Sequence, residues 1–363
     1  MKKVILNIYS LRNGGAERVM ANLANHLTVR GYEVYIITIG NAESGYELSS
    51  DIKIIELGFD SLNSGLVASI KKFLKTVKAI HKNFVIIKPD LCISFMTETN
   101  IISLIAGKLC HVPVIVSERT NPLKHSISSV YSFLRKSLYK YATEVVLQTE
   151  GVLAFYRKNL KIKNLQVIPN PILIRDFMPC EEIKKKTILS VGRLSQEKGH
   201  LLLINAFAKS DAVKLGWKLI IVGSGPMQNF LFEQVVHLKL TDYIEFKGRS
   251  LNVYEYLKEA GIFVLPSSYE GFPNALMEAL SVGVPSISTN CDFGPSDLIH
   301  DGINGLLVET DNVTDLKEKI NTLLHSDSKR ADFRAEGPRS MKRFNYEIIM
   351  HKWESLINKT IKN

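Results

Sequence analysis

The sequence predicts an α/β protein built from two doubly wound, Rossmann-like parallel-sheet halves. Three observations carry that expectation. Short runs rich in Val, Ile and Leu alternate with longer amphipathic runs along most of the chain, the pattern of strand–helix repeats. The alternation breaks around residues 169–186, where Pro169, Pro171, Pro179 and the charged run 181–186 interrupt it, and then restarts. The length, 363 residues, is long for one domain and comfortable for two.

Taken in order, residues 4–9 read as a buried strand that runs into the Gly14-Gly15 turn and an amphipathic helix reaching Leu27. Strand, glycine turn, helix is the opening of a parallel α/β unit; on the residues alone Gly14 and Gly15 read first as a simple tight turn, and they also permit close backbone approach where such folds place ligands. Further strands are expected at 33–38, 52–56, 91–95, 114–116, 145–147 and 165–168, with a long helix over 66–82. The second half starts at 187–192 and continues with strands at 218–222, 244–246, 262–265 and 285–288, a short extra strand at 305–308, and a helical tail over 345–361. The expected layout is therefore a first domain over 1–170, a linker over 171–186, a second domain over 187–344 and a closing helix over 345–363.

Hydrophobic content of 45% and charged content of 23% describe a globular chain rather than a disordered one. The net charge of +10 suits nucleic acid, an anionic membrane or phosphorylated substrates, and equally a solvated surface. Cys92, Cys110, Cys180 and Cys291 form no close pair and no zinc or redox spacing, which fits a reducing compartment. Lys2 and Lys3 precede an apolar run broken by Asn7, so the N-terminus reads as a first strand and not a signal peptide. No stretch approaches the ~18 apolar residues of a spanning helix. The expected location is cytoplasmic, with peripheral attachment to the inner face of the cytoplasmic membrane open. Lysines interleaved with apolar residues over 71–78 and 133–141 fit an anionic bilayer or ordinary solvated helix faces.

The most informative stretch is 261–283. An apolar strand ends in Pro266-Ser267-Ser268, Glu270 and Gly271 follow, and a helix opens at Pro273-Asn274 with Glu278 inside it. That arrangement aims the first N–H groups of a helix beyond the strand end, a pole that favours anions. Glu270 and Glu278 are acceptors suited to sugar or ribose hydroxyls, or else a turn residue and a helix-surface charge. After the strand at 187–192, Arg193 and Lys198 lie on a loop closed by Gly199, where a guanidinium fork and a mobile ammonium can converge on a diphosphate. Gly223 and Gly225 follow the strand at 218–222, but Gln228 stands where a dinucleotide fingerprint has its third glycine, which disfavours a nicotinamide enzyme. Asp-x-Asp, a common metal–diphosphate bridge, is absent from the sequence.

These elements together resemble glycosyltransferase family 4, the bacterial group 1 enzymes. The string E-x7-E with G-F-P after Glu270, the G-R-x4-K-G element at Arg193 and Lys198, G-x-G-P at Gly223 and Gly225, and G-G-A-E-R after strand one all match. The resemblance implies the GT-B architecture, with two domains facing across a cleft and the last helix crossing back to the first domain. It implies Arg193, Lys198 and Glu270 as catalytic residues. Gly14, Gly15, Gly223, Gly225, Arg249, Gly271, Phe272, Pro273, Asn274, Ala275, Leu276 and Glu278 would join them in binding the donor. Glu118 and Arg119 fall in the acceptor and donor-sugar region, but Arg119 stands where many relatives carry a histidine. A guanidinium cannot serve as a base; hydrogen bonding to sugar or phosphate, or an ion pair with Glu118 or elsewhere, are its alternatives.

The implied reaction is transfer, with retention and without metal, cofactor or fixed nucleophile, of a hexose or N-acetylhexosamine from a nucleoside-diphosphate sugar, taken as UDP-linked. The implied acceptor is a glycan, polyprenyl-diphosphate-linked, in surface polysaccharide synthesis (O-antigen, capsule or exopolysaccharide). No nucleic-acid partner is implied. A nucleotide-sugar epimerase of the same architecture is one alternative. A non-enzymatic basic protein that binds polyanions or membrane is another.

Overall fold

The computed structural model describes residues 1–12, 14–59, 66–124, 127–172, 185–250 and 252–362. The chain divides into two compact units, one of Met1–Pro171 with Glu347–Asn363, the other of Ile172–Tyr346. Most of the interruption expected over 171–186, including Pro179 and Cys180, lies outside the described residues.

The first unit holds, among the described residues, β1 (Lys3–Ile8), α1 (Gly15–Val29), β2 (Glu33–Thr38), β3 (Lys53–Glu56), α2 (Leu66–Ile87), β4 (Leu91–Phe95), α3 (Thr97–Cys110), β5 (Val114–Ser117), α4 (Ser129–Leu138), β6 (Glu144–Leu147), α5 (Glu150–Leu160) and β7 (Leu165–Val167). The strands pair in parallel in the order β3-β2-β1-β4-β5-β6-β7. The order reverses between β1 and β4, the switch point where doubly wound sheets take ligands. β4 is buried along its whole length, as a strand covered on both faces must be.

α2 runs past the expected end at residue 82. Val77, Ile80, Phe84 and Ile87 continue one buried stripe, so packing overrides the weak helix propensity of the β-branched run. Lys88, at φ +53, and Pro89 then stop it. The closing helix, Tyr346–Lys362, buries Ile349, Met350, Trp353, Leu356 and Ile357. Trp353 is fully buried with its ring 5.9 Å from that of Phe95, and Asn358 accepts from the Tyr32 hydroxyl at 2.8 Å.

The second unit repeats the scheme with β8 (Thr187–Val191), α6 (His200–Lys209), β9 (Lys218–Val222), α7 (Gln228–His237), β10 (Ile244–Phe246), α8 (Val253–Glu259), β11 (Ile262–Leu265), α9 (Asn274–Ser281), β12 (Ser286–Thr289), α10 (Pro295–Leu298), β13 (Leu306–Val308), α11 (Val313–Leu324) and α12 (Asp327–Met341). Its parallel order is β10-β9-β8-β11-β12-β13, reversing between β8 and β11. Its core gathers Trp217, Phe207, Leu219, Val264 and Phe333. The buried Arg330 guanidinium donates to the Leu323 and Leu324 carbonyls at the end of α11 and reaches Asp327, so the charge caps that helix. No helix among the described residues is long and apolar enough to cross a membrane.

Candidate active site

β8 and β11 are neighbours, with Ile188 opposite Ile262 and Leu189 opposite Phe263. Their carboxyl ends therefore deliver the Arg193–Lys198 and Pro266–Pro273 loops side by side. Gly199, at φ +64, lies so close that a Cβ there would stand 2.0 Å from the Pro266 carbonyl oxygen. The Ser268 amide donates to the Glu197 carbonyl at 2.8 Å and locks the two loops together. Across this seam Lys198 Nζ meets Glu270 Oε1 at 2.7 Å, and the Ser267 hydroxyl donates to the same oxygen at 2.7 Å. Glu270 is 7% exposed and Lys198 25%. The other oxygen, Oε2, accepts no hydrogen bond among the described residues. One oxygen thus fixes the cation while the second keeps its capacity to accept a further hydrogen bond.

The adjoining loops are fitted to this seam through backbone. The Gly192 amide donates to Val222 O at 3.0 Å, Leu194 N to Ser224 O at 3.0 Å, and Gly223 N to Gly248 O at 2.7 Å. Cβ atoms on Gly223 and Gly225 would stand 1.8 Å from Gly192 O and 2.4 Å from Leu194 O. Both glycines are therefore required by the approach of one loop to the next, whatever else they meet. Arg193 and Arg249 are exposed on these loops, and their guanidinium groups make no hydrogen bond or ion pair among the described residues.

α9 begins at Asn274 with Pro273 in the N-cap place, one residue later than the sequence suggests. Phe272 is buried, its ring edge-on to Phe344 at 5.9 Å, which with Leu276 and Met277 anchors the helix start. The Asn274 amide goes to Phe272 O and the Met277 amide to Pro273 O. Those of Ala275 and Leu276 have no backbone acceptor of this kind among the described residues, the usual state of a first helical turn. Gly271 and Ala275 are half-buried beside them, and half-buried Glu278 follows one turn after Asn274.

His200 opens α6 beside Lys198, buried, with neither ring nitrogen hydrogen-bonded among the described residues. Burial, helped by the Lys198 charge, pulls its pKa down to about 4. Cys291 is buried near Glu270, and burial pushes its thiol up to about 12, so it is no nucleophile at neutral pH. Sequence reasoning did not single out His200 as important, nor Ser267 as the partner of Glu270. The small-residue turn Pro266-Ser267-Ser268 was the available signal for the latter.

In the first unit, Gly14 and Gly15 open α1, but that helix end is already dressed. The Tyr46 hydroxyl accepts from the Gly14 amide at 3.0 Å and donates to its carbonyl at 2.7 Å. The Glu17 carboxylate lies where a Gly14 Cβ would be, 2.1 Å from that position. Glu118 is buried, accepting from Thr97 Oγ1 at 3.0 Å and from the Tyr139 hydroxyl.

The expected alternative of a Glu118–Arg119 ion pair is not what forms. Arg119 instead stacks over Phe95 and Trp353, 4.4 and 5.6 Å from their centroids, and donates to Asn170 Oδ1 at 2.7 Å. Gln148 shares that acceptor at 2.9 Å. Burial pulls the guanidinium pKa down to about 9, which leaves it protonated at neutral pH. The reason is topological: Glu118 is drawn towards α3 and Tyr139, and the next residue turns towards the closing helix.

Comparison with known proteins settles the family. The sequence model described as Glycosyltransferase Family 4 matches residues 13–174, and that described as Glycosyl transferases group 1 matches 179–340. The chain is 30% identical, over 98% of both chains, to the GalNAc-alpha-(1->4)-GalNAc-alpha-(1->3)-diNAcBac-PP-undecaprenol alpha-1,4-N-acetyl-D-galactosaminyltransferase of Campylobacter jejuni. The chain belongs to the group 1, family 4 glycosyltransferases. This glycosyltransferase is also 25% identical, over 99% of its length and 100% of the relative's, to the amylovoran biosynthesis glycosyltransferase AmsD of Erwinia amylovora. Among solved structures, Anabaena Alr3699/HepE in complex with UDP and glucose matches with a TM-score of 0.82 at 18% identity, covering 99% of the glycosyltransferase and 100% of that chain. That likeness shows the fold, and the two parallel-sheet units are those of the GT-B architecture.

Proposed function

We propose that this glycosyltransferase moves a hexose or N-acetylhexosamine from a UDP-sugar to a lipid-linked glycan, with retention and without a metal, in surface polysaccharide or oligosaccharide synthesis. The observation that carries the reading is the Lys198–Glu270 pair, 2.7 Å apart at the β8/β11 switch point beside the start of α9. As the glycosidic bond to a diphosphate breaks, negative charge collects on phosphate oxygen. Arg193, Lys198 and the Ala275 and Leu276 amides are the groups suited to receive it, and such preorganised donors are usually the largest catalytic contribution. Glu270, held by Lys198 and Ser267, keeps Oε2 for a donor-sugar hydroxyl, and Glu278 is assigned to the ribose. Gly223, Gly225, Gly271, Phe272, Pro273 and Asn274 shape this pocket, and Arg249 is assigned to the base.

The lipid-linked acceptor is supported by the Campylobacter relative, whose name carries an undecaprenol diphosphate glycan, and the UDP donor by the HepE complex. Metal independence rests on the absence of Asp-x-Asp and on the two cations that supply the charge instead. Membrane attachment from the cytoplasmic side follows from the acceptor. The direct experiment is release of UDP from a panel of UDP-sugars, with the anomeric configuration of the product read by NMR. Turnover that survives EDTA and a product of the donor's configuration are expected. Failure to hydrolyse or bind any UDP-sugar, or an inverted product, would overturn the proposal. Formation of an epimer without acceptor would favour the epimerase.

A further inference from the structure

The turn that carries Glu270 is braced from a side the sequence does not announce. β12 pairs with β11 on the edge away from β8, with Leu265 opposite Ser288. The segment that leaves β12, residues 289–294, therefore flanks the 266–273 loop opposite its Lys198 side. Three contacts along this segment follow the loop in step. The Thr289 hydroxyl donates to the Ser267 carbonyl oxygen. The Cys291 sulfur lies beside the Glu270 backbone amide and faces Phe293 O at 3.8 Å. Gly294, at φ +99, comes so close that a Cβ there would stand 2.6 Å from Pro273 Cδ.

The first contact bears most directly on Glu270. Thr289 and Ser267 are fully buried, and a buried carbonyl needs a partner. Among the described residues Thr289 is the one hydrogen-bond donor to Ser267 O. The N–H of the same peptide group, that of Ser268, donates to Glu197 O at 2.8 Å. One peptide plane is thus gripped at its oxygen by the strand on one side and at its hydrogen by the Lys198 loop on the other. The Ser267 side chain, which donates to Glu270 Oε1 at 2.7 Å, hangs from that plane.

We infer that Thr289 is a positioning residue for Glu270: its hydroxyl sets the Ser267–Ser268 peptide, and that peptide sets the carboxylate. Cys291 steadies the neighbouring Tyr269–Glu270 peptide by contact. Loss of the Thr289 donor leaves the Ser267 carbonyl unsatisfied and the plane held at one end only. The inference rests on the assignment of Glu270 to the donor sugar and adds the residues that hold it there.

The test uses steady-state kinetics of the full-length protein on the best substrate of the UDP-sugar panel. Thr289→Val keeps the shape and removes the hydroxyl; it should lower kcat about 10–100-fold with KM changed less than about threefold. Thr289→Ser, which restores the donor, should recover most of that loss. In a Glu270→Gln background the Val substitution should change kcat by less than about threefold, because its effect passes through the carboxylate. Ser286→Ala is the control: it removes another buried hydroxyl of β12, one that donates to Val284 O at the far end of the strand, and should leave kcat within about twofold. Equal losses in Thr289→Val and Ser286→Ala, a Ser variant no better than Val, or a full additional loss in the Glu270→Gln background overturns the inference. Where the Val variant does not fold, Cys291→Ala carries the test, with kcat expected to fall about 3–10-fold and an unchanged kcat overturning it. A wild-type protein that turns over no UDP-sugar, or a Glu270→Gln variant as fast as wild type, sinks the transfer reading instead. The brace is then judged by hydrogen exchange over 267–271, which should quicken in Thr289→Val; unchanged protection there overturns it.

Discussion

Gly223→Ala tests whether the loops that follow β8 and β9 are held by backbone contact. The residue has φ +151, and its new Cβ would stand 1.8 Å from Gly192 O and 2.9 Å from Gly192 C. Neither neighbour is the end of a flexible side chain, so the Gly192–Arg193 backbone or the Gly223 turn must move. Positive-φ strain of ~1–3 kcal/mol and overpacking of ~1–3 kcal/mol give a cost of about 2–6 kcal/mol. Gly216→Ala is the control, since Gly216 has φ +72 but nothing within 4 Å of the added carbon. It should cost only ~1–2 kcal/mol. The chain has two tryptophans, Trp217 in the second unit and Trp353 in the first, so a Trp353→Phe background makes fluorescence report on the second unit alone. In that background the Gly223 variant should melt about 8–15 °C lower, and the Gly216 variant about 2–6 °C lower. Transfer by the folded Gly223 variant should also fall, up to ~100-fold, because Arg193 rides on the displaced loop. Equal melting of the two variants would refute the packing argument.

Other perturbations reach the remaining parts of the account. Lys198→Ala should reduce transfer ~100–1000-fold and cost about 1–3 kcal/mol of stability, because it leaves the buried Glu270 carboxylate with Ser267 but without its cation; similar rates for wild type and variant would contradict its role. Arg119→Ala removes the stacking on Phe95 and Trp353 and the bond to Asn170, and should cost about 2–3 kcal/mol in the first unit, read as a melting shift of about 5–10 °C. A shift under about 1 °C would contradict it. His200 titrates near 6.5 when unfolded and at about 4 when folded. The unfolded chain therefore binds the extra proton as pH falls from 6.5 to 4, and stability is lost across that window by up to about 3 kcal/mol. Urea midpoints at pH 7 and pH 4.5 should differ more in wild type than in His200→Gln; an equal difference would show that this histidine is not responsible.

Much of the fold is legible in the residues because central parallel strands covered on both faces must be largely apolar, and the strands expected at 33–38, 91–95, 218–222, 244–246 and 262–265 form with those bounds. Helix ends read less well. α2 continues through Phe84 and Ile87 because tertiary burial outweighs β-branched propensity there. The loop chemistry was half visible. Arg193, Lys198 and Glu270 each stood at a strand end, but the ion pair joins residues 72 apart in sequence and appears only when the sheet places β8 beside β11. Gly223 and Gly225 read as ligand-facing, and their close fit against Gly192 and Leu194 is a second reason for glycine that only the fold reveals. Arg119 was the least legible, since nothing local to β5 announces a stack with a tryptophan from the closing helix.

The central claim is that two cations and a helix start in the second unit hold a diphosphate. Calorimetric titration of UDP into the full-length protein addresses it most directly, comparing wild type with Arg193→Ala and Lys198→Ala. Saturable binding at one site, weakened roughly 10- to 100-fold in each variant, is the expected result, since each lost charge-assisted bond is worth ~1.5–3 kcal/mol. Wild-type protein that takes up no UDP, or variants that bind it as tightly as wild type, would contradict the account.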